Sequence, residues 1–467
     1  MKAMQDLGAG TKMNNKIDIF NNLYDIFPPQ RNTVEISENY SSFCIKYIIE
    51  INGLSLEKLY ANFLQFPERD EWFLRIIIGG NDPVTIKSNN DNINEFKENI
   101  SEKIKYFDNE DGLIKLELSI KKILENGHIS IYVFNEFCSF LDGLSPIKFL
   151  DIISKDLETN TYLYFEFVSS DNKKYKSQHI GIGIKPVNDD SNNTGRLSNK
   201  VKQNCHFINF SQYPYLPSYF YLVERPSEND IITNLFDKLA VVFLIASIYD
   251  VVTIHERNNL TFKLNGYKTI EGNLDIKNKN TPNESINTYF KIYDWIYSES
   301  GSVTDKIGLV RNILSLYIDS NSIEIDDDVY FSIQSGFKVY LKENLNKYIE
   351  IRGKISEQLL ALSQKAGQIL DTYFSNFQKS ISAFITFFIS VFLVRVLSSG
   401  NFIDTFTKDA TIIAFFLIYI SLIYMIYSLR ILNKERERLS HKYVMLKERF
   451  QDLLVMQDIE KILNKDK

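Results

Sequence analysis

The 467-residue chain carries 53 Lys and Arg against 59 Asp and Glu, which gives a net charge of -6, and its mean hydropathy is -0.17. This length is enough for two or three domains, and the weak negative charge excludes wholesale electrostatic binding of nucleic acid. The three cysteines, Cys44, Cys138 and Cys205, lie far apart in the sequence. Their spacing excludes a sequence-readable zinc ribbon or disulfide framework and is typical of a protein in a reducing cytosol.

Residues 1–32 are predicted to form an N-terminal leader or tail. The segment opens with MKAMQDLGAGTKMNNK, which contains no apolar run, so we expect no signal peptide there. Met13 is a second candidate for the start of the chain.

Residues 33–188 are predicted to form an α+β or α/β domain in the cytosol. Alternating or short apolar runs, which are typical of strands, recur at 43–51, 72–80, 113–120, 128–134 and 162–168. Helical patterns lie between them, among others at 55–66 and 92–107. The next segment, 189–226, is polar at first and proline-containing later, so we expect a loop and linker.

Residues 227–326 are predicted to be a second, mostly helical part of the same cytosolic head. A helix is expected to begin at Ser227, its capping residue, and to end at Tyr249. Its apolar end, 239–249, has only about 11 residues, which suits a buried helix because a membrane span needs about 20. Asn-Asn and Asn-Gly pairs between alternating runs predict a β-hairpin within 253–276.

The head shows no recognisable catalytic or cofactor motif. A Walker-type phosphate loop, the GxSxG elbow and the HExxH zinc motif are all absent. The glycine-containing stretches 79–82 and 181–186 are interpreted as turns or hairpin edges. Asp275 and Lys277 do not fit the strand pattern of a Mg²⁺ nuclease, and Cys138 is interpreted as a packed thiol. We therefore predict no catalytic residue, no metal and no cofactor, and leave open a protein or small-molecule ligand of the head.

Residues 327–380 are predicted to form a long helical stem. No proline occurs between positions 327 and 397, and apolar residues recur at spacings of three and four, as in Leu341, Leu345 and Tyr348. The C-terminal segment 430–467 has the pattern of a second, cytosolic amphipathic helix. Such helices predict a stem that also pairs between the subunits of a homo-oligomer.

Two apolar segments, 381–397 and 410–429, are predicted to form a two-span transmembrane hairpin over 381–429. The second segment has about 20 residues without a charge, enough to cross about 30 Å of hydrocarbon, and the first lies at the short end of the usual range. The alternative is a pair of buried core helices, but helices of that kind normally show a polar face.

Flanking charge predicts the orientation of the hairpin. The tail after the second segment is strongly basic, whereas the connecting loop has Lys408 against Asp404 and Asp409. Basic flanks stay on the cytoplasmic side of a membrane. We therefore expect the loop outside and both termini in the cytosol, with the chain in the inner (cytoplasmic) membrane and the lipid bilayer as its first partner.

The first span contains the candidate membrane-lining or helix-packing residues. Ser382, Thr386 and Ser390 are four residues apart and form one stripe, which fits helix packing, a pore lining or chance. Arg395 lies near the outer end of this span. It is interpreted as a side chain that snorkels to the membrane surface. The alternative is a functional role, in which arginines from several subunits form a ring.

The layout of cytosolic head, long helix, two spans and short outer loop resembles that of CorA-type magnesium channels. That family carries Gly-Met-Asn at the end of its first span, whereas this chain reads LSSGN at the corresponding place, so no residue is carried over. The layout predicts a bacterial sensor–effector that alters membrane permeability, with stress or phage defence as its setting. The alternatives are an anchored scaffold or receptor without a pore, and an enzyme in the head.

Overall fold

The computed structural model describes residues 20–59, 64–88, 92–107, 113–186, 191–226, 230–255, 258–278, 281–297, 301–399 and 408–451. The chain divides into two compact units, Met1–Phe337 and Lys338–Lys467. Over these described residues the first unit, called the head, is mixed α+β with three sheets, and the second is helical. The predicted combination of an α+β part and a helical C-terminal part is thus confirmed.

The first sheet of the head is antiparallel throughout. Its strands are β1 (Glu35–Glu38), β2 (Ser42–Ile48), β3 (Glu71–Ile78), β4 (Val84–Lys87) and β5 (Ile114–Lys121), in the order β1-β2-β5-β3-β4. Alternate side chains of β5 are buried, as expected for a sheet with one covered face. Helices α1 (Asn21–Ile26) and α2 (Ile93–Lys105) contribute to the same core.

The helix predicted at 55–66 is not formed as expected. Only Leu56–Lys58 makes a single 3₁₀ turn, and residues 60–63 lie outside the described part. The amide of Ser55 donates to the carbonyl of Ile26, which ties this segment to the end of α1. This tertiary bond takes the place of a local helical start.

The second sheet contains a parallel βαβ crossover. Its strands are β6 (His128–Ile131), β7 (Leu163–Phe167), β8 (Tyr175–Lys176) and β9 (Ile180–Ile182), in the order β6-β7-β9-β8. Helices α3 (Phe134–Asp142) and α4 (Pro146–Thr159) join β6 to its parallel neighbour β7. The hydroxyl of Ser145 accepts from the amide of Lys148 and so caps α4.

The third sheet packs with four helices. Its strands are β10 (His206–Phe207), β11 (Val251–His255), β12 (Asn259–Asn265) and β13 (Thr269–Asp275), and the helices are α5 (Ser191–Asn204), α6 (Ile231–Ile248), α7 (Asn283–Tyr297) and α8 (Val303–Tyr317). The hairpin predicted within 253–276 is confirmed as β12 and β13. Asn258, with φ of +60°, makes the turn between β11 and β12.

Two expectations for this region need correction. Helix α5 falls in the segment predicted as loop, and it forms because Leu197 and Val201 pack on the core while its other side chains stay polar. Helix α6 is capped by Asp230, whose carboxylate accepts from the amide of Thr233. The predicted cap, Ser227, lies outside the described residues.

Arg311 of α8 joins the ends of two helices. Its Nε donates to the carbonyl of Ile248 at 2.9 Å, and its Nη2 donates to the carbonyls of Asn204 at 2.7 Å and Tyr249 at 3.0 Å. Its Nη1 lies 2.9 Å from Asp250. The positive charge therefore sits where the carbonyl ends of α5 and α6 are left without helical partners.

The described part after α8 forms two long helices, α9 (Asp327–Ser399) and α10 (Lys408–Gln451). The first turns of α9 contribute Val329 and Ile333 to the core of the head. The predicted helical stem and the apolar segment 381–397 therefore belong to one helix. The second apolar segment likewise continues without a break into the basic tail.

Candidate functional site

Three described helices are long and apolar enough to cross a membrane: Ile231–Ile248, a stretch within Asp327–Val394 and a stretch within Thr411–Arg449. The first of them is α6, and 78% of it is buried in the head, which agrees with its prediction as a core helix. None of the apolar window is buried in the other two. Exposed apolar surfaces of this size are typical of contacts with a membrane or with another protein.

Within the second unit, α9 and α10 pair with each other. The residues that share a contact or a cavity wall are Ile355 with Leu446, Ile369 with Leu432, Tyr373 with Ser428, and Phe384 with Leu417. Positions rise along α9 as they fall along α10, so the helices run antiparallel. Contact positions on α9 recur at spacings of three and four, as in a coiled coil.

Polar side chains lie among apolar ones along part of this contact. Asn376 and Ser380 of α9 lie with Ser421 and Ser428 of α10 around a cavity of about 190 Å³, which Tyr424 also lines. We call the four residues Asn376, Ser380, Ser421 and Ser428 the polar seam. The hydroxyl of Ser380 donates to the carbonyl of Asn376 at 3.2 Å, a local bond that satisfies the donor within an apolar helix.

The register places the polar seam at the level of the second apolar segment. Because Tyr373 is paired with Ser428 and Ser380 with Ser421, residues 372–380 of α9 lie beside the last turns of segment 410–429. Hydropathy alone starts the first span only at 381. The part of α9 beside the second segment therefore includes Asn376 and Lys379, and Lys379 lines a cavity of about 310 Å³ with Ser421 and Tyr424.

The stripe predicted from sequence lies elsewhere on α9. Ser382, Thr386 and Ser390 are exposed and do not line the cavities shared with α10 that include Ser380 and Phe384. Their role in helix packing or in a pore stays a prediction. The backbone of Arg395 is part of α9, and its side chain lies outside the described part of the chain.

The sequence contains a signal for the polar seam that the prediction of the spans missed. Ser421 and Ser428 are seven residues apart and Asn376 and Ser380 four apart, spacings that place each pair on one helix face. The signal is hidden because Asn376 stands outside the apolar window used to define the span. Only the pairing of α9 with α10 shows that the two faces meet.

The head contains a fully buried ion pair at the junction of its first two sheets. Lys122 Nζ lies 2.5 Å from Glu38 Oε1, and both side chains are inaccessible. The amides of Tyr132 and Val133 donate to the Glu38 carboxylate at 2.8 and 2.6 Å. Burial raises the pKa of Glu38 and lowers the pKa of Lys122, because desolvation penalises both charges.

This ion pair is interpreted as a structural link. Lys122 also donates to the carbonyl of Asn39, and the hydroxyl of Tyr132 donates to Asp70. The hydrogen-bonding capacity of these buried groups is therefore satisfied within the protein. Because both charged side chains are inaccessible, they offer no surface to a substrate. Among the described residues, no group of three or more His, Cys, Asp or Glu side chains is arranged to hold a metal ion.

The other motifs of the head are structural as well. Gly183 has φ of +66°, and a Cβ there would lie 2.3 Å from the carbonyl oxygen of Lys173, so the glycine is required by a tight turn after β9. Gly79, with φ of +58°, makes the turn after β3. Burial raises the pKa of Cys138 to about 12, which leaves little thiolate for nucleophilic chemistry at neutral pH.

No protein-family model, curated protein or solved structure matches this chain. Function is therefore inferred from the chemistry of the two long helices and of the head.

Proposed function

We propose that the chain is a membrane-anchored sensor–effector. In this proposal α9 and α10 cross the inner membrane as a hairpin over 381–429, with the loop outside and both termini in the cytosol. The head binds a protein or small-molecule ligand, and the hairpin alters membrane permeability in an oligomer of the chain. Stress response or phage defence is the proposed setting.

The polar seam is the observation that carries this proposal. Polar groups at the level of a span, such as Asn376 and Ser380 opposite Ser421, either join helices by hydrogen bonds or line a polar path, and we propose the second role for them. The outward surface of both helices is apolar, and on this stretch their mutual contact sets the polar seam among apolar side chains such as Phe377, Phe384 and Met425. That arrangement is typical of helices that hold water or an ion path between them.

The continuity of α9 supports the coupling of head and hairpin. At the start of this helix, Asp327 accepts from Lys291 at 2.7 Å and from the hydroxyl of Thr288 at 2.7 Å, both on α7. Val329 and Ile333 are buried in the head core. A ligand that changes the packing of α7 therefore acts on the same helix that carries the polar seam.

Dye release from liposomes tests the proposal. The full-length protein is reconstituted at several protein-to-lipid ratios, with and without a protein-free extract of phage-infected cells. We expect release that rises steeply with protein density, and we expect Ser380→Ala and Asn376→Leu to slow it. Ser375→Ala is the matched control, because Ser375 is exposed on the same helix and lines none of the seam cavities.

Absence of release from vesicles that contain the inserted protein, under every condition, would contradict a role in permeability. The anchored scaffold or receptor would then be the function to pursue. Equal slowing by Ser375→Ala would remove the argument from the polar seam.

A further inference from the structure

The stem carries a second apolar face that α10 does not cover. Six large side chains on it are 50–63% exposed: Leu341, Leu345, Ile349, Leu360, Leu370 and Phe374. Together with the intervening Arg352, Ser356, Ser363 and Gly367 they follow spacings of three and four, so they share one side of α9. We call these ten residues the stem stripe. The face toward α10 is a different one, formed by residues such as Ile355, Leu359 and Ile369.

Lipid is too far away to cover most of the stem stripe. Leu360 precedes Ile381 by 21 residues, which is about 30 Å along a helix, and Leu341 precedes it by 40 residues, about 60 Å. Burial of a leucine, isoleucine or phenylalanine side chain is favourable because its apolar surface is removed from water. Six such side chains left in water on one helix face therefore favour a protein partner.

We propose that the stem stripe is the surface through which a second copy of this chain binds, parallel and side by side. This inference rests on the proposed membrane anchoring. Two copies held in one bilayer by the same hairpin point in the same direction and stand at the same height. Each residue of the stem stripe then meets its own counterpart, which is the pairing of a parallel coiled coil.

The length and composition of the stem stripe fit pairing with a second copy of the chain. From Leu341 to Phe374 it covers 33 residue steps in nine spacings that average about 3.7 residues, the period of an 11-residue repeat, which keeps one face of a helix against its partner over three repeats. Arg352, its one charged residue, is a polar position of the kind that fixes register and oligomer size at a cost in stability. A Cβ on Gly367 would meet nothing within 4 Å, so packing within the chain does not explain this glycine. The glycine leaves room on the stem stripe for the close approach of a second helix.

Cysteine cross-linking of the full-length chain in isolated membranes tests the pairing. Leu360→Cys and Leu345→Cys are each expected to give an oxidant-induced disulfide between identical positions, because facing residues bring the two Cα atoms within about 7 Å. Most of the chain should then run at twice its mass of 54.4 kDa. Lys354→Cys is the matched control, since its side chain is 61% exposed but lies on another side of α9. The wild-type chain controls for its three native cysteines.

Equal dimer yields from Leu360→Cys and Lys354→Cys would overturn the proposal. So would cross-linking of Leu360→Cys to a polypeptide of another mass, because a different partner would then cover the stripe. Alkaline extraction of the same membranes separates this inference from the proposed function. A chain that stays in the pellet but does not cross-link defeats only the pairing, whereas a chain released to the supernatant defeats the anchoring as well.

A second measurement distinguishes loss of pairing from misfolding of the variant. Leu345→Asn together with Leu360→Asn should lower the mass of the detergent-solubilised particle to that of one chain, whereas Lys347→Asn with Lys354→Asn should leave it unchanged. An unchanged mass in the leucine variant whose head fluorescence is native would also overturn the proposal.

Discussion

Removal of one partner of the Glu38–Lys122 pair should destabilise the head strongly. Glu38→Gln keeps the shape of the side chain but leaves the Lys122 ammonium buried beside a neutral amide. Lys122→Met leaves the carboxylate with the two amides of Tyr132 and Val133 as its donors. Because both side chains are fully inaccessible, no water can replace the lost partner. Each single change should cost about 3–5 kcal/mol of unfolding free energy.

The double variant should be much less damaged than the sum of the single ones. Independent effects would add to about 6–10 kcal/mol. With both charges removed, the main remaining cost is one backbone amide without its acceptor, about 1–3 kcal/mol, because the introduced glutamine side chain keeps a single carbonyl oxygen. The desolvation that raises the pKa of Glu38 and lowers that of Lys122 is then also relieved.

Urea unfolding followed by tryptophan fluorescence measures these differences in the detergent-solubilised full-length chain. The two tryptophans, Trp72 and Trp295, are both in the head, so the signal reports on its unfolding without a contribution from α10. Single variants that cost less than about 1 kcal/mol, or a double variant that equals their sum, would refute the assignment of a buried ion pair.

Three further changes test the packing of the head by the same assay. Burial lowers the pKa of His179 below its unfolded value of about 6.5, so stability should fall as the pH decreases from about 7 to 5, and His179→Phe should flatten that slope; an unchanged slope would contradict this. Gly183→Ala should cost about 2 kcal/mol or more of unfolding free energy, because the turn at 183 requires glycine. Gly308→Ala, whose Cβ meets nothing within 4 Å, should instead stabilise the head by about 0.5–1 kcal/mol. Equal effects of the two changes would contradict the requirement for glycine at 183. Arg311→Met should cost about 2–4 kcal/mol of unfolding free energy. Arg311→Lys should recover only part of this loss, because one ammonium group cannot reach three carbonyls and a carboxylate together. Full recovery by lysine would contradict the role given to the planar guanidinium group.

Strong local patterns made much of the fold predictable. The Asn-Gly turn at 265–266 and the alternation over 259–275 specify a hairpin locally, and the proline-free, periodic sequence from 327 onward specifies one helix. The apolar run at 239–249 is buried in the head as predicted, but α6 has 18 residues, so its burial and not its length distinguishes it from the membrane segments. For the hairpin and for α9 the deciding interaction lies within one element or its immediate neighbour.

The remaining features depend on contacts between distant segments. Helix α5 looks polar because only Leu197 and Val201 reach the core, so sequence alone predicts a loop. Arg311 binds carbonyls more than 60 positions away along the chain. The polar seam likewise exists only in the register of α9 with α10, and a span defined by hydropathy excluded Asn376 from it.

The central claim is that residues 381–429 cross the membrane as a hairpin, and a single labelling experiment tests it. Intact spheroplasts expressing the full-length chain are treated with a membrane-impermeant maleimide, with the wild-type chain as the background for Cys44, Cys138 and Cys205. We predict that Asp404→Cys in the connecting loop is labelled, whereas Glu435→Cys on α10 is labelled only after permeabilisation. Protection of Asp404→Cys, or labelling of Glu435→Cys in intact spheroplasts, would contradict the hairpin.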